Sequence, residues 1–243
     1  MAQLIKCFDF VSRYETDLAR YIGQYASIRR KRWETFQKEA QGSGHPEDFL
    51  NHLYPHQLTW ASSTPTRRSN GVTLLKKDEH LRHLLQWFGD ASLLFYHPVL
   101  KIDGVETELD LILVTPFSIY VMYYLEGEKG SVFQGRSKRQ WAEIRSEEER
   151  LLVNPLISLA RSTELVVRCL KGETGGLPVK PVLLVPDSFV EFADPGRGVQ
   201  IIDQPKFANW LRTIEPYRAP VKNNQLKVAT TLLKKAITRA ENR

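Results

Sequence analysis

The sequence has little cysteine and no long apolar run. Its 243 residues include two cysteines, Cys7 and Cys169. Two cysteines so far apart offer no disulfide framework, and no Cys/His set has zinc-site spacing. No stretch approaches the roughly 20 apolar residues of a membrane span. Lys6 and Asp9 interrupt Met1 to Phe10, so no signal-peptide core is expected there. A phosphate-binding glycine loop, a dinucleotide fingerprint and a nucleophile elbow are all missing. No internal repeat is evident. These absences lead to the expectation of a cytoplasmic protein without a membrane partner.

What is present is ordinary in amount. Hydrophobic residues make up 42% of the chain, enough for one medium domain with an appendage or for two small ones. The net charge is +6 and the isoelectric point about 9.3. Such a balance is compatible with nucleic acid and does not by itself identify it.

The central stretch runs from Val105 to Leu125. Val105–Val114 reads as one strand, with Leu109, Leu111 and Leu113 on one face and Glu106, Glu108 and Asp110 on the other. Thr115-Pro116-Phe117-Ser118 reads as a turn, and Ile119–Leu125 as a second strand rich in aromatic and β-branched residues. The three acids fit either a solvated outer face or a metal-binding acid carried on a central hairpin.

Glu108-Leu109-Asp110, the hydrophobic run into Thr115-Pro116, and Ile119-Tyr120-Val121 resemble the core of the nuclease-related domain (NERD) family. That resemblance implies a PD-(D/E)xK nuclease-like fold, in which an Asp on one strand and a Glu-x-Lys on the next meet at a metal. The fold class expected is α/β (α+β), with a restriction-endonuclease-like αβββαβ core, a helical N-terminal arm and C-terminal helices. Asp110 takes the Asp position. Glu79 takes that of a family Glu, although Asp78 replaces the usual glycine before it. Tyr123 and Leu125 occupy the Glu-x-Lys positions. Asn154-Pro155-Leu156 resembles the start of the family's main helix, with Ser158 where a Gln is common. Val179–Pro186 resembles the following strand. The resemblance covers Lys77 to Pro186.

Metal-assisted phosphodiester cleavage needs hard oxygen ligands and a group that stabilises developing charge. A phenol with a pKa near 10 is a poor Mg²⁺ ligand, and leucine supplies no charge. The expected vestigial site is therefore Glu79, Glu108, Asp110, Tyr123 and Leu125, with loose metal binding at most through Asp110 and Glu79. No cofactor is expected. The alternative is an active Mg²⁺-dependent endonuclease whose motif has migrated to Glu126 or Lys129. That would require a bulge, because Glu126 alternates away from Tyr123.

Residues 1–71 are expected to form a helical arm, an αα-hairpin plus linker, ahead of a nuclease-like domain over 72–243. Val11, Tyr14, Leu18, Tyr21, Tyr25 and Ile28 form a heptad-like seam on a helix from Asp9 to about Ala40, with Ser12 or Asp9 as cap. Arg29-Arg30-Lys31-Arg32 fits a solvated face or an acid-binding patch. A second helix opens at Pro46 and reaches about Tyr54. Pro55 is expected to break it, which spoils His52 and His56 as a metal pair. Ala61 to Gly71 reads as the linker. A helix over Lys77–Phe88 and a strand over Ser92–Lys101 follow, and Asp103-Gly104 is a hairpin turn.

Lys129, Arg136, Lys138 and Arg139 near Trp141 fit a nucleic-acid grip by charge and stacking, or a surface loop. Ser146 with Glu147–Glu149 reads as the start of a helix. Asn154 caps the main helix, which Gly172 stops. A strand at Val199–Ile202, a helix opened by Pro205, and a last helix capped by Asn223 or Asn224 complete the chain. The function implied is a catalytically silent nuclease-related protein that binds DNA or RNA or serves as a scaffold. A protein partner would use the aromatic seam of the first helix.

Overall fold

The computed structural model describes residues 1–146, 148–192, 196, 198–214 and 220–242. The chain begins with β1 (Gln3–Cys7), a 3₁₀ turn (Arg13–Glu15), α1 (Leu18–Glu39), α2 (Pro46–Trp60), β2 (Arg67–Arg68), α3 (Val72–Leu75) and α4 (Glu79–Trp87). Next come β3 (Leu93–Tyr96), β4 (Val99–Ile102), β5 (Val105–Glu108), β6 (Leu111–Val114) and β7 (Ile119–Tyr124). A smaller sheet draws on β8 (Val132–Gly135), β9 (Gln140–Ile144) and β10 (Glu149–Val153). The chain continues with α5 (Pro155–Leu170), β11 (Val179–Val185), β12 (Phe189–Glu191), β13 (Gln200–Asp203), α6 (Gln204–Ile214), α7 (Asn223–Lys235) and β14 (Glu241–Asn242).

The main sheet has the order β1-β3-β6-β7-β11-β13. β3, β6 and β7 form an antiparallel meander. α5 then crosses over to β11, which is parallel to β7. Both faces of this sheet are covered, which explains the unbroken apolar sequences of β3 and β6. Leu111, Leu113 and Met122 pack with Leu53, Leu81 and Trp210 from α2, α4 and α6. Ile112, Val114 and Val121 pack with Leu18, Leu159 and Val228 from α1, α5 and α7. The result is a mixed α/β architecture of three layers. Among the described residues no helix is long and apolar enough to cross a membrane.

The strand expected over Val105–Val114 is two strands. β5 pairs with β4 in a separate hairpin, closed by Asp103 and Gly104 at positive φ. Ser92–Lys101 is likewise divided, at His97-Pro98. His97 has φ 46°, and its N–H reaches the Asp110 carbonyl at 2.8 Å. Pro98 accepts from the Leu109 N–H at 3.0 Å and has no N–H of its own to donate to a ladder. The kink resets the alternation. Leu109 joins Ile112 in one core cluster, while Leu111 and Leu113 belong to the other.

Residues 1–71 are not wholly helical. β1 is a strand of the main sheet, pairing parallel to β3. Its outer edge is covered by α2, where the Gln57 side chain accepts from Leu4 N at 2.8 Å and donates to Ala2 O at 2.6 Å. An amide side chain there replaces a neighbouring strand and blunts the edge. Sequence reasoning passed over β1 because Lys6 breaks its apolar run. The Lys6 ammonium is fully buried and donates to Phe10 O at 2.5 Å, to Thr238 Oγ1 at 2.8 Å and to the Glu15 carboxylate. Burial lowers the Lys6 pKa, and Glu15 opposes that shift.

α1 begins at Leu18, not near Asp9. Asp17 caps it by accepting from Arg20 N at 3.0 Å, while Ser12 caps the preceding 3₁₀ turn. Tyr14, Leu18, Ile22 and Tyr25 are buried, and Ile28 is exposed. Tyr14, Tyr21 and Tyr25 surround Trp60 at ring distances of 5.4–6.1 Å. α2 runs through Pro55 to Trp60, because losing one ladder hydrogen bond is offset by burying Leu53, Tyr54, Leu58 and Trp60. Ala61–Gly71 is packed rather than a free linker. Ala61 to Thr64 are buried, and β2 pairs with β14. Glu149 opens a strand, not a helix, because Leu151–Val153 completes the ladder with β9. Glu147 lies outside the described residues. Asn154 caps α5 as expected, accepting from Leu156 N at 2.9 Å.

Candidate functional site

The kink that divides both strand pairs also builds the site. Asp110 sits in the step between β5 and β6, opposite Tyr123 at the end of β7. Its Oδ2 accepts from the Tyr124 N–H at 2.5 Å. Its Oδ1 lies 3.5 Å from His97 Nδ1, which is also 3.5 Å from Glu108 Oε1. His97 is held by the stacked ring of Phe8 at 5.3 Å and by the edge-on ring of Tyr96 at 4.5 Å.

Burial pushes the Asp110 carboxyl up to about 6. His97 and the Tyr124 N–H pull in the opposite direction, and Glu108 adds to the rise. A carboxyl with this affinity changes protonation state near pH 6, beside the His97 ring. Burial, and secondarily Asp110, raises the Tyr123 phenol above its usual value, so Tyr123 stays neutral. Two cavities flank Asp110. One, of about 280 Å³, is lined by Tyr123 and by Ser158 and Ser162 of α5. The other, of about 160 Å³, is lined by His80, His97, Tyr124 and Glu126.

The expected residues are only partly brought together. Glu108, Asp110 and Tyr123 line one cavity. Leu125 is buried in the core beyond it. Glu79 is exposed on the first turn of α4 and lines neither cavity. The side chain that α4 directs here is His80, whose Nε2 lies 3.6 Å from Glu126 Oε1. Asp78, just before it, caps α4 through Leu81 N and accepts the Tyr96 hydroxyl at 2.7 Å. His97, Tyr124 and Ser162 were not singled out by the sequence. The His97-Pro98 step was the available signal, since proline marks where a ladder must break. Among the described residues, no three His, Cys, Asp or Glu side chains converge as a metal site.

The expected nucleic-acid surface is changed more. Trp141 is fully buried, with its ring 5.0 Å from Phe192, and is not available to stack on a base. Lys129, Lys138 and Arg139 are exposed. Arg136 pairs with Glu149 at 3.2 Å. The small sheet also carries a charge cluster centred on a buried acid. Glu143 is fully buried and meets Arg145 at 3.0 Å, Arg150 at 2.8 Å and the Ser131 hydroxyl at 2.9 Å.

No family model, curated protein or solved structure matches the chain.

Proposed function

We propose that this chain is a nuclease-related protein of the PD-(D/E)xK-like kind that no longer cleaves phosphodiesters, and that it serves as a nucleic-acid-binding or scaffold protein. The element order α4, β3, β6, β7, α5, β11 supports the fold assignment. One observation carries the function. Asp110 stands at the end of the β6–β7 pair, yet across from it are neutral Tyr123 and buried Leu125. Neither can complete a Mg²⁺ site or stabilise developing charge. The exposed cations Lys129, Lys138 and Arg139 support contact with a polyanion by charge alone.

The test is incubation of the full chain with plasmid and single-stranded substrates in Mg²⁺ or Mn²⁺. The expected result is no cleavage. Cleavage that disappears in Asp110→Ala would overturn the proposal. A second reading, an active nuclease with a migrated motif, draws on the cavity shared by Asp110, His80 and Glu126. Under that reading, Glu126→Gln would abolish cleavage as fully as Asp110→Ala.

A further inference from the structure

The small sheet ends on β10, which pairs with β9 on one side only. The hairpin fixes which backbone groups its free edge presents. The Arg145 N–H donates to Glu148 O, and the Asn154 N–H to Arg139 O, both at 3.0 Å. Hydrogen-bonded pairs alternate along an antiparallel ladder, so Arg150 and Leu152 also bond toward β9. The N–H and C=O groups of Glu149, Leu151 and Val153 therefore point outward. They have no hydrogen-bond partner among the described residues.

The side chains of this edge do not blunt it. Leu151 is 59% exposed and Val153 70%, both on the sheet face opposite Trp141. Arg150 is turned to the other face, onto Glu143. Edge strands are ordinarily protected by lysine, proline or a covering element, as α2 and Gln57 protect β1. β10 contains neither residue.

Charge decides what fits. At the turn end, exposed Glu148 shares Arg145 with Glu128 and Glu143. At the opposite end, Lys138 and Arg139 are exposed without a carboxylate partner among the described residues. The edge thus runs from acid to base, and an antiparallel copy of itself sets base against acid.

We propose that the chain forms a symmetric dimer through β10, which joins the two small sheets into one. The outward residues are centred on Leu151, so a two-fold axis beside it matches all of them at once. Leu151 faces Leu151 of the second copy, and Glu149 faces Val153 of the second copy, each pair exchanging two N–H···O bonds. The exposed leucines and valines of both copies then share one face. On the other face Glu148 stands opposite Asn154 of the second copy, one strand from Arg139 of that copy. Their Cα atoms are about 10 Å apart, within reach of the two side chains.

The test is sedimentation equilibrium of the full chain over a range of concentrations. The expected mass rises from monomer toward dimer. Leu151→Lys sets like charges together at the axis and should keep the chain monomeric with an unchanged circular dichroism spectrum. Arg139→Glu should weaken association severalfold. Cysteine trapping reads the register, since Cys7 and Cys169 are buried. Facing Cα atoms of a hydrogen-bonded pair lie about 5.5 Å apart, within disulfide range. On mild oxidation with diamide, Leu151→Cys should cross-link. Val153→Cys should not, because its two copies are roughly 14 Å apart, and adding Glu149→Cys should restore cross-linking. A monomer at every concentration would overturn the proposal and leave the edge to a strand of another protein. Association unaffected by Leu151→Lys, or equally fast cross-linking of Val153→Cys and Leu151→Cys, would overturn it as well.

Discussion

The Tyr124 backbone N–H donates to the Asp110 carboxylate at 2.5 Å, so the acid of the site also ties the end of β6 to the end of β7. Its charge is nonetheless unfavourable there, because burial holds its pKa up at about 6. The folded chain then binds a proton more tightly than the unfolded chain does. Stability from this group is full below about pH 4 and declines as pH rises through 6. Asp110→Asn keeps an acceptor for Tyr124 and removes the titration. The expected outcome is a flatter stability profile between pH 4 and 6, and a variant more stable at pH 7 by on the order of 2 kcal/mol. Urea unfolding across that range, with Glu108 and His97 unchanged, measures it.

Lys6 and Glu15 form a buried pair whose members are not equivalent. Lys6 is wholly buried, whereas Glu15 retains 20% side-chain exposure. Removing the acid strands a cation in the interior, so Glu15→Ala should cost about 3 kcal/mol. Lys6→Met combined with Glu15→Gln replaces the pair by uncharged side chains and should recover most of that loss. Equal destabilisation by the single and the double variant, read by chemical unfolding, would show that charge burial is not the cause.

Trp60 joins α2 to the tyrosines of α1 and of the turn before it. Trp60→Ala should cost about 3–5 kcal/mol through the cavity left behind. Deleting residues 1–40 should be more damaging, since it removes β1 and uncovers one face of the sheet. Insoluble or molten product is expected. A soluble fragment with an unchanged melting temperature would contradict the packing described.

Nucleic-acid contact, if made through the small sheet, should be electrostatic. Replacing Lys129, Lys138 and Arg139 by alanine should weaken DNA binding at low salt and reduce the slope of log affinity against log salt by about 2–3. Trp141 emission should not respond to DNA, because its ring is sealed under Phe192. Quenching of Trp141 on DNA addition would require the small sheet to open.

The sequence conveyed the middle of the fold better than its borders. β6, β7, α5 and β11 were legible because their apolar residues have strong period and their ends carry turn residues or caps, such as Pro116 and Asn154. β1 was hidden by Lys6, a residue that enters a core only when long-range partners such as Thr238 receive it. No local pattern announces a partner 232 positions away. The division of both strand pairs at Asp110 and His97 was missed for a related reason. Alternation continues through Glu106, Glu108 and Asp110 on paper, but the backbone kink shifts the faces. The Trp141 assignment failed because a tryptophan beside three cations reads the same whether it faces solvent or a second small core.

The parallel pairing of β1 with β3 has a consequence for synthesis. Gln3 leaves the ribosome before its partner Leu93, which follows 90 positions later. At ordinary elongation rates that interval is on the order of ten seconds. During it, the β3-facing edge of β1 would stand open to other chains. α2 arrives sooner, and the Gln57 amide can engage Ala2 and Leu4 before any strand does. The helix that blunts the finished edge is thus also placed to act as a cotranslational guard for the outer edge of the nascent strand.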